Sequence, residues 1–264
     1  MTDWNDALYL RFGDQRTRAA IDLLARVRPD PAEPLREVVD LGCGPGNSTA
    51  LLAARWPAAR ITGVDSSPAM LRAAREALPA LDWVQADVSH WQADPDRPVD
   101  VLFANAVLQW VPDHDRLLPR LLRQVRPGGV LALQMPANRD EPSHRWMREL
   151  PGAWADRLGV AAEAMNHVRT PADYFDLLAP LAEDIDIWET RYEQVMADAE
   201  AIVDWVRSTG LRPFLDALAD DDERARYLAD YRARIAQAYP ARIDGRRLFR
   251  FPRLFVVVRR ARSG

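Results

Sequence analysis

The sequence predicts an α/β fold in which a parallel sheet carries helices on both faces. Strand-like and helix-like segments alternate between residues 36 and 136, the order that builds parallel βαβ units. Gly42, Gly44 and Gly46 fall directly between the first of these strands and the helix after it. Beyond residue 137 the alternation stops. Two further strands then enclose a helical stretch, the pattern of a cap over the sheet's ligand edge.

Residues 16–27 (RTRAAIDLLARV) space their apolar side chains at helical period, and a Pro-rich stretch from Arg28 to Pro34 ends that helix. REVVDLG is a short β-branched run closed by glycine and reads as a buried parallel strand. Asn47 to Arg55 reads as a helix stopped before Pro57, and Ala59 to Asp65 as the second strand. Ser67 supplies a cap, with Pro68 in the first helical position, for a helix running to about Ala77. Leu81 to Ala86 and Val99 to Asn105 read as strands three and four. A helix from Asp115 to Val125 is expected to end at Gly128-Gly129, and Val130 to Met135 is the fifth strand. After residue 137, two helical stretches cover roughly 141–179, Asp184 to Met196 alternates as a long strand, helices return over 198–239, and Phe251 to Arg259 is the last strand. These helices are too few to enclose a sizeable core alone. The expected division is therefore a lid and helix over 1–35, a ligand-binding core over 36–136, and a part over 137–264 that completes the sheet and carries a substrate cap at about 137–180 and 197–250.

Composition narrows the function classes. With 264 residues, 48% of them hydrophobic, the chain fits one large domain or one domain with an insertion. Cys43 is the only cysteine, which argues against a disulfide scaffold or a multi-thiolate zinc site, and the four histidines show no metal-ligand spacing. No apolar run approaches the roughly 20 residues of a membrane span. The first residues, MTDWNDALYL, carry acids where a signal peptide needs a basic end, so a cytoplasmic protein is expected. A net charge of −4 argues against a global field for nucleic acid, although the segment from 241 onward holds eight arginines and one acid, Asp244. All 35 basic residues are arginine, so every cation is a planar fork suited to carboxylates, and no lysine is present for Schiff-base chemistry.

The chemistry concentrates in VVDLGCGPGNST, residues 38–49. Glycine is needed where a turn visits positive φ and a ligand approaches the backbone, and the helix beginning near Asn47 aims free N–H groups at the same place. A dinucleotide site wants G-x-G-x-x-G; here the register is G-x-G-x-G, and Asn47 takes the place of the third glycine. Asp40, two residues before Gly42, would repel a pyrophosphate and suits a ligand bearing an ammonium group. Asp65, 23 positions after Gly42 at the end of the second strand, can accept from two ribose hydroxyls. Asp87, after the third strand, can accept from an adenine amino group. Asn105 and Gln109, polar within the apolar run FANAVLQW, read as a site wall.

These residues, together with RPGGVLAL at 126–133, resemble the class I S-adenosylmethionine-dependent methyltransferases over residues 36–136. That resemblance implies a Rossmann-like seven-stranded sheet, mostly parallel with an antiparallel last strand. The segments DWNDALYLRF, DLGCGPGNSTALL, ARITGVDSSPAM, FANAVLQWVPDH, ALQMPANRDEPSH, DWVRSTGLRPFL and FPRLFVVVRR resemble the trans-aconitate 2-methyltransferase family along the whole chain, cap included. The resemblance implies S-adenosyl-L-methionine as cofactor and a small tricarboxylate as substrate. Its acceptor is a carboxylate oxygen, already ionised at neutral pH, so no general base is needed. This agrees with a sequence lacking an evident Ser-His-Asp or Cys-His grouping. The cofactor residues are then Tyr9 and Phe12, folding over as a lid, with Asp40, Gly42, Gly44, Asn47, Asp65, Ser66, Met70, Asp87, Val88, Asn105 and Gln109. Trp110, His114, Arg212 and Arg253 are the expected substrate residues, the two arginines as forks for carboxylates. The alternatives are a methyltransferase for another small acid or metabolite, an NAD-dependent oxidoreductase, an RNA methyltransferase, and a cofactor-binding module without turnover.

Overall fold

A computed structural model describes residues 13–149, 154, 158–159, 161, 168–207 and 209–262. One seven-stranded sheet organises them, made of β1 (Glu37–Leu41), β2 (Arg60–Asp65), β3 (Asp82–Gln85), β4 (Val99–Asn105), β5 (Val125–Pro136), β6 (Ala182–Met196) and β7 (Arg247–Arg260). The strand order is β3-β2-β1-β4-β5-β7-β6. Strands β1 to β5 pair in parallel, and β7 lies antiparallel between β5 and β6. This is the mostly parallel, Rossmann-like sheet expected from the sequence.

Alternation along the strands explains how both faces are covered. Val39, Leu41, Leu102, Ala104, Leu131, Leu133, Leu254 and Val256 share one buried cluster. It packs against α4 (His114–Gln124) and α6 (Pro171–Leu178), through Leu117, Leu121 and Tyr174. Their neighbours Val38, Val101, Phe103, Val130, Ala132, Phe255 and Val257 face the other way. They pack under α1 (Gly13–Arg26) and α2 (Asn47–Arg55), through Ala19, Leu23 and Leu52. Burial on both faces is why these strands read as continuous apolar runs. The third crossover helix, α3 (Pro68–Ala77), starts as expected: Ser67 accepts from Met70 N at 3.4 Å, with Pro68 in the first turn.

The cap is built on the far ends of β6 and β7. It holds α5 (Pro142–Arg148), α7 (Ala199–Arg207), α8 (Arg212–Asp216) and α9 (Asp221–Ala238). They surround a second core with Trp205, Phe214, Tyr227, Tyr231 and Ile235. The helices do not do this alone, because β6 and β7 run on past the sheet and contribute Met196, Phe249 and Phe251. Tyrosines serve as core residues because their hydroxyls reach backbone carbonyls: Tyr231 donates to Ser143 O at 2.7 Å and Tyr227 to Met147 O at 3.2 Å.

Gly128-Gly129 differs from expectation. Helix α4 ends at Gln124 and β5 begins at once. Val125 pairs with Val99, while Val130 pairs with Val101, so the glycines form a bulge inside the strand. Gly128 has φ +76°, and a Cβ on Gly129 would stand 2.7 Å from Asp100 O. Among the described residues, no helix is long and apolar enough to cross a membrane.

Candidate active site

A cavity of about 350 Å³ opens at the carboxyl ends of β1, β2 and β4. Three turns build it. The first follows β1, where Gly42 N and Cys43 N donate to Val64 O at 2.7 and 3.0 Å and tie the loop to β2. Gly42 has φ +66°, and a Cβ there would lie 2.3 Å from Val107 Cγ2, so glycine is required twice over. Gly44 has φ +54°, and no described atom lies within 4 Å of where its Cβ would stand, leaving its backbone open. Gly46 begins α2 with φ +96° and no side-chain cap, so the helix presents its first N–H groups beside the loop.

The second turn follows β2. Asp65 Oδ2 accepts from Gly44 N at 2.9 Å and Oδ1 from Ser67 N at 2.8 Å. Each oxygen keeps a lone pair for a ligand hydroxyl. The third turn follows β4, where Asn105 lines the cavity with Ala106, Val107, Trp110 and Val111. Asn105 Oδ1 is buried without a partner among the described residues. Asp87, beyond β3, accepts from Ser89 N at 2.8 Å and Ser89 Oγ at 2.6 Å, and these bonds hold its carboxyl below the ordinary value.

Of the expected cofactor residues, Gly42, Gly44, Asn47, Asp65, Ser66, Met70, Asp87, Val88 and Asn105 line this cavity, and so does Trp110, expected on the substrate side. Tyr9 and Phe12 lie outside the described residues. Five expected residues sit outside this lining. Asp40 is fully buried behind the loop, its Oδ2 accepting from Ser48 Oγ and Thr49 Oγ1, both at 2.7 Å. Gln109 turns back to donate from Nε2 to Ala106 O at 2.7 Å, bracing a turn in which Ala106 has φ +56°. His114 is buried on α4, Nε2 donating to Leu108 O at 2.9 Å and Nδ1 accepting from Tyr174 Oη at 2.7 Å, and it is not among the described residues that line the cavity. Arg212 opens α8 in the cap, Nε 3.8 Å from Asp216, away from the cavity lining. Arg253 is buried in β7, where Nη1 donates to Gln134 Oε1 at 3.0 Å and its guanidinium carbon stands 4.9 Å from the Phe251 ring centre.

Thr17 and Ala20 of α1 also line the cavity. Nothing in the amphipathic pattern of that helix marks them. Gln134, a lone amide within the apolar strand VLALQMP, is buried beside Arg253 and was not singled out from sequence.

Residues 38–129 match the family described as Methyltransferase domain. Over the full length, the chain is 63% identical to a trans-aconitate 2-methyltransferase of Azoarcus sp. (strain BH72), covering 97% of this chain and 99% of that one. The chain belongs to the trans-aconitate 2-methyltransferase family. A second member of the trans-aconitate 2-methyltransferases, from Paracidovorax citrulli, is 55% identical over 99% of this chain and 100% of its own. Among solved structures, the YcgJ protein from Bacillus subtilis superposes with a TM-score of 0.57 at 12% identity, over 94% of this chain and 99% of that one. Phosphoethanolamine N-methyltransferase 2 of Haemonchus contortus, solved with S-adenosyl-L-methionine, gives 0.54 at 15% identity, over 92% of this chain and 52% of that one. These two show that the fold is shared with proteins of very different sequence.

Asp40 carries a pH signature for this family member. Burial pushes its carboxyl from 3.8 up to about 7, against the two hydroxyl bonds that favour its charge. A folded-state value above the unfolded one stabilises fully below about pH 4 and is lost as pH rises through about 7. Urea melts are therefore expected to show wild type losing stability, on the order of a few kcal/mol, between pH 4 and 7 relative to Asp40→Asn. Parallel profiles for the two proteins would contradict this assignment.

Proposed function

We propose that the chain transfers the methyl group of S-adenosylmethionine to one carboxylate of trans-aconitate, leaving a monomethyl ester and S-adenosylhomocysteine. The observation that carries this reading is the distribution of charge along the sheet edge. Among the described residues lining the cavity, the charged ones are Asp65 and Asp87, both acids. Such a wall repels a pyrophosphate and accommodates a cationic nucleoside whose ribose and adenine offer donors. Asp65 would hold the ribose hydroxyls, Asp87 the adenine side, and Gly44 the close backbone approach. Asn105 Oδ1, an acceptor without a partner among the described residues, fits an ammonium group. Bound there, S-adenosylmethionine supplies a sulfonium methyl that passes to a carboxylate oxygen as the carbon–sulfur bond breaks, with no proton to move.

A tricarboxylate would be repelled by the acids and needs a cation further along the edge. Arg253 provides one on β7, and Trp110 adds an aromatic side chain to the cavity wall. The work left to the protein is positioning, which in well-oriented reactions supplies up to roughly 7–11 kcal/mol. Incubation with methyl-labelled S-adenosylmethionine and trans-aconitate is expected to place label in an ester. Transfer to no carboxylic acid would overturn the reading.

A further inference from the structure

We infer that Gln134 orients the reacting carboxylate of the acceptor acid, while Arg253 holds a carboxylate that does not react. The inference rests on the methyl-transfer reading above and assigns roles within it. Gln134 stands on β5 beside Asn105 on β4, with their Cα atoms in register across a parallel pair, where strands lie about 4.8 Å apart. Asn105 belongs to the cofactor cavity. On the other side, Gln134 is bonded to Arg253. It is therefore the residue that joins the cofactor end of the sheet edge to its cationic end.

Side-chain parity puts the row on one face. Phe103, Ala132 and Phe255 lie in the cluster under α1, and Asn105, Gln134 and Arg253 each stand two residues from one of them. Helix α1 is fastened over this face, with Tyr192 Oη donating to Asp22 and Arg18 lying 5.0 Å from the Tyr192 ring centre. The row therefore runs beneath the helix that supplies Thr17 and Ala20 to the cavity wall.

The orientation of the Gln134 amide follows from its neighbour. A guanidinium has donors only, so the amide oxygen must face Arg253 and the NH2 group must point away from it. That NH2 is fully buried and has no partner among the described residues. Buried donors in folded proteins are almost always paired, so this NH2 is suited to an incoming acceptor.

The chemistry favours dividing the work. A bidentate arginine on the reacting carboxylate would draw charge from both oxygens and make each a poorer nucleophile. A neutral amide donating to one oxygen holds the group in place and leaves the other oxygen its charge. With the fork on a second carboxylate, the acid enters in one orientation, and a single regioisomer results.

Single-turnover and steady-state assays on full-length Gln134→Met, with resolution of the monoester isomers, test this. Expected are a kcat lowered about 10-fold or more, unchanged S-adenosylhomocysteine affinity by calorimetry, and a mixture of isomers where wild type makes one. Gln134→Glu is the second variant. Its carboxylate pairs with Arg253 and keeps the fold, but repels the acceptor acid, so KM is expected to rise about 100-fold. Wild-type kcat, KM and a single isomer in either variant overturn the inference and leave the methyl-transfer reading standing. Absence of transfer by wild type to any carboxylic acid overturns both.

Discussion

Asp65→Ala is expected to weaken S-adenosylhomocysteine binding at least 100-fold. The side chain does two jobs at once. Its oxygens anchor Gly44 N and Ser67 N, which fixes the glycine loop against the start of α3. Its remaining lone pairs would receive two ribose hydroxyls, and hydrogen bonds to a charged group contribute about 1.5–3 kcal/mol each. Two such bonds at the low end already amount to about 100-fold. Losing the loop anchors adds to this, because Gly44 N and Ser67 N are no longer held beside the cavity. Calorimetric titration of the purified variant measures the effect. Affinity within about threefold of wild type would show that Asp65 anchors the loop and does not touch the nucleoside.

Arg253→Met is expected to lower kcat/KM for trans-aconitate about 100- to 1000-fold with cofactor affinity retained. Truncating one partner of a buried charge-assisted contact costs about 2–5 kcal/mol. Arg253 is only 5% exposed, so little solvent is present to screen or replace its guanidinium. Methionine keeps a long apolar stem beside Phe251, so packing is largely preserved. Arg212→Ala provides the contrast: this arginine lies off the cavity lining, and its variant is expected to stay within a few-fold of wild type. An Arg253 variant with unchanged KM and kcat would move the anion site elsewhere.

The parallel half of the molecule was legible because each strand there ends in, or is followed by, glycine, proline or a polar residue, and α3 starts at a recognisable Ser67 cap with Pro68 in its first turn. Asn47–Arg55, Pro68–Ala77 and Val99–Asn105 appear with the boundaries read from sequence. The bulge at Gly128-Gly129 was not legible, since a glycine pair after a helix fits a helix terminus equally well. The cap core was hidden in the composition of α9. Tyr227, Tyr231 and Ile235 are spaced four apart on one face, and a tyrosine's place in a core is fixed only when its hydroxyl finds a partner, here a backbone carbonyl for each.

The cofactor wall was readable because glycines and lone acids at strand ends have few structural uses. The substrate side was harder, because an arginine or histidine is equally at home in a structural bond. His114 is the plainest case, with both ring nitrogens bonded inside the fold. Gln134 escaped because only tertiary pairing with Arg253 fixes which way its amide points.

Product analysis after incubation with methyl-labelled S-adenosylmethionine and a panel of trans-aconitate, cis-aconitate, citrate and succinate tests the central claim most directly. One labelled methyl ester per trans-aconitate, as a single isomer and in preference to the other acids, is the result expected from acids around the cofactor and Arg253 beyond them. Label that stays in the cofactor for every acid, in a protein stabilised by NAD and not by S-adenosylhomocysteine, would contradict it.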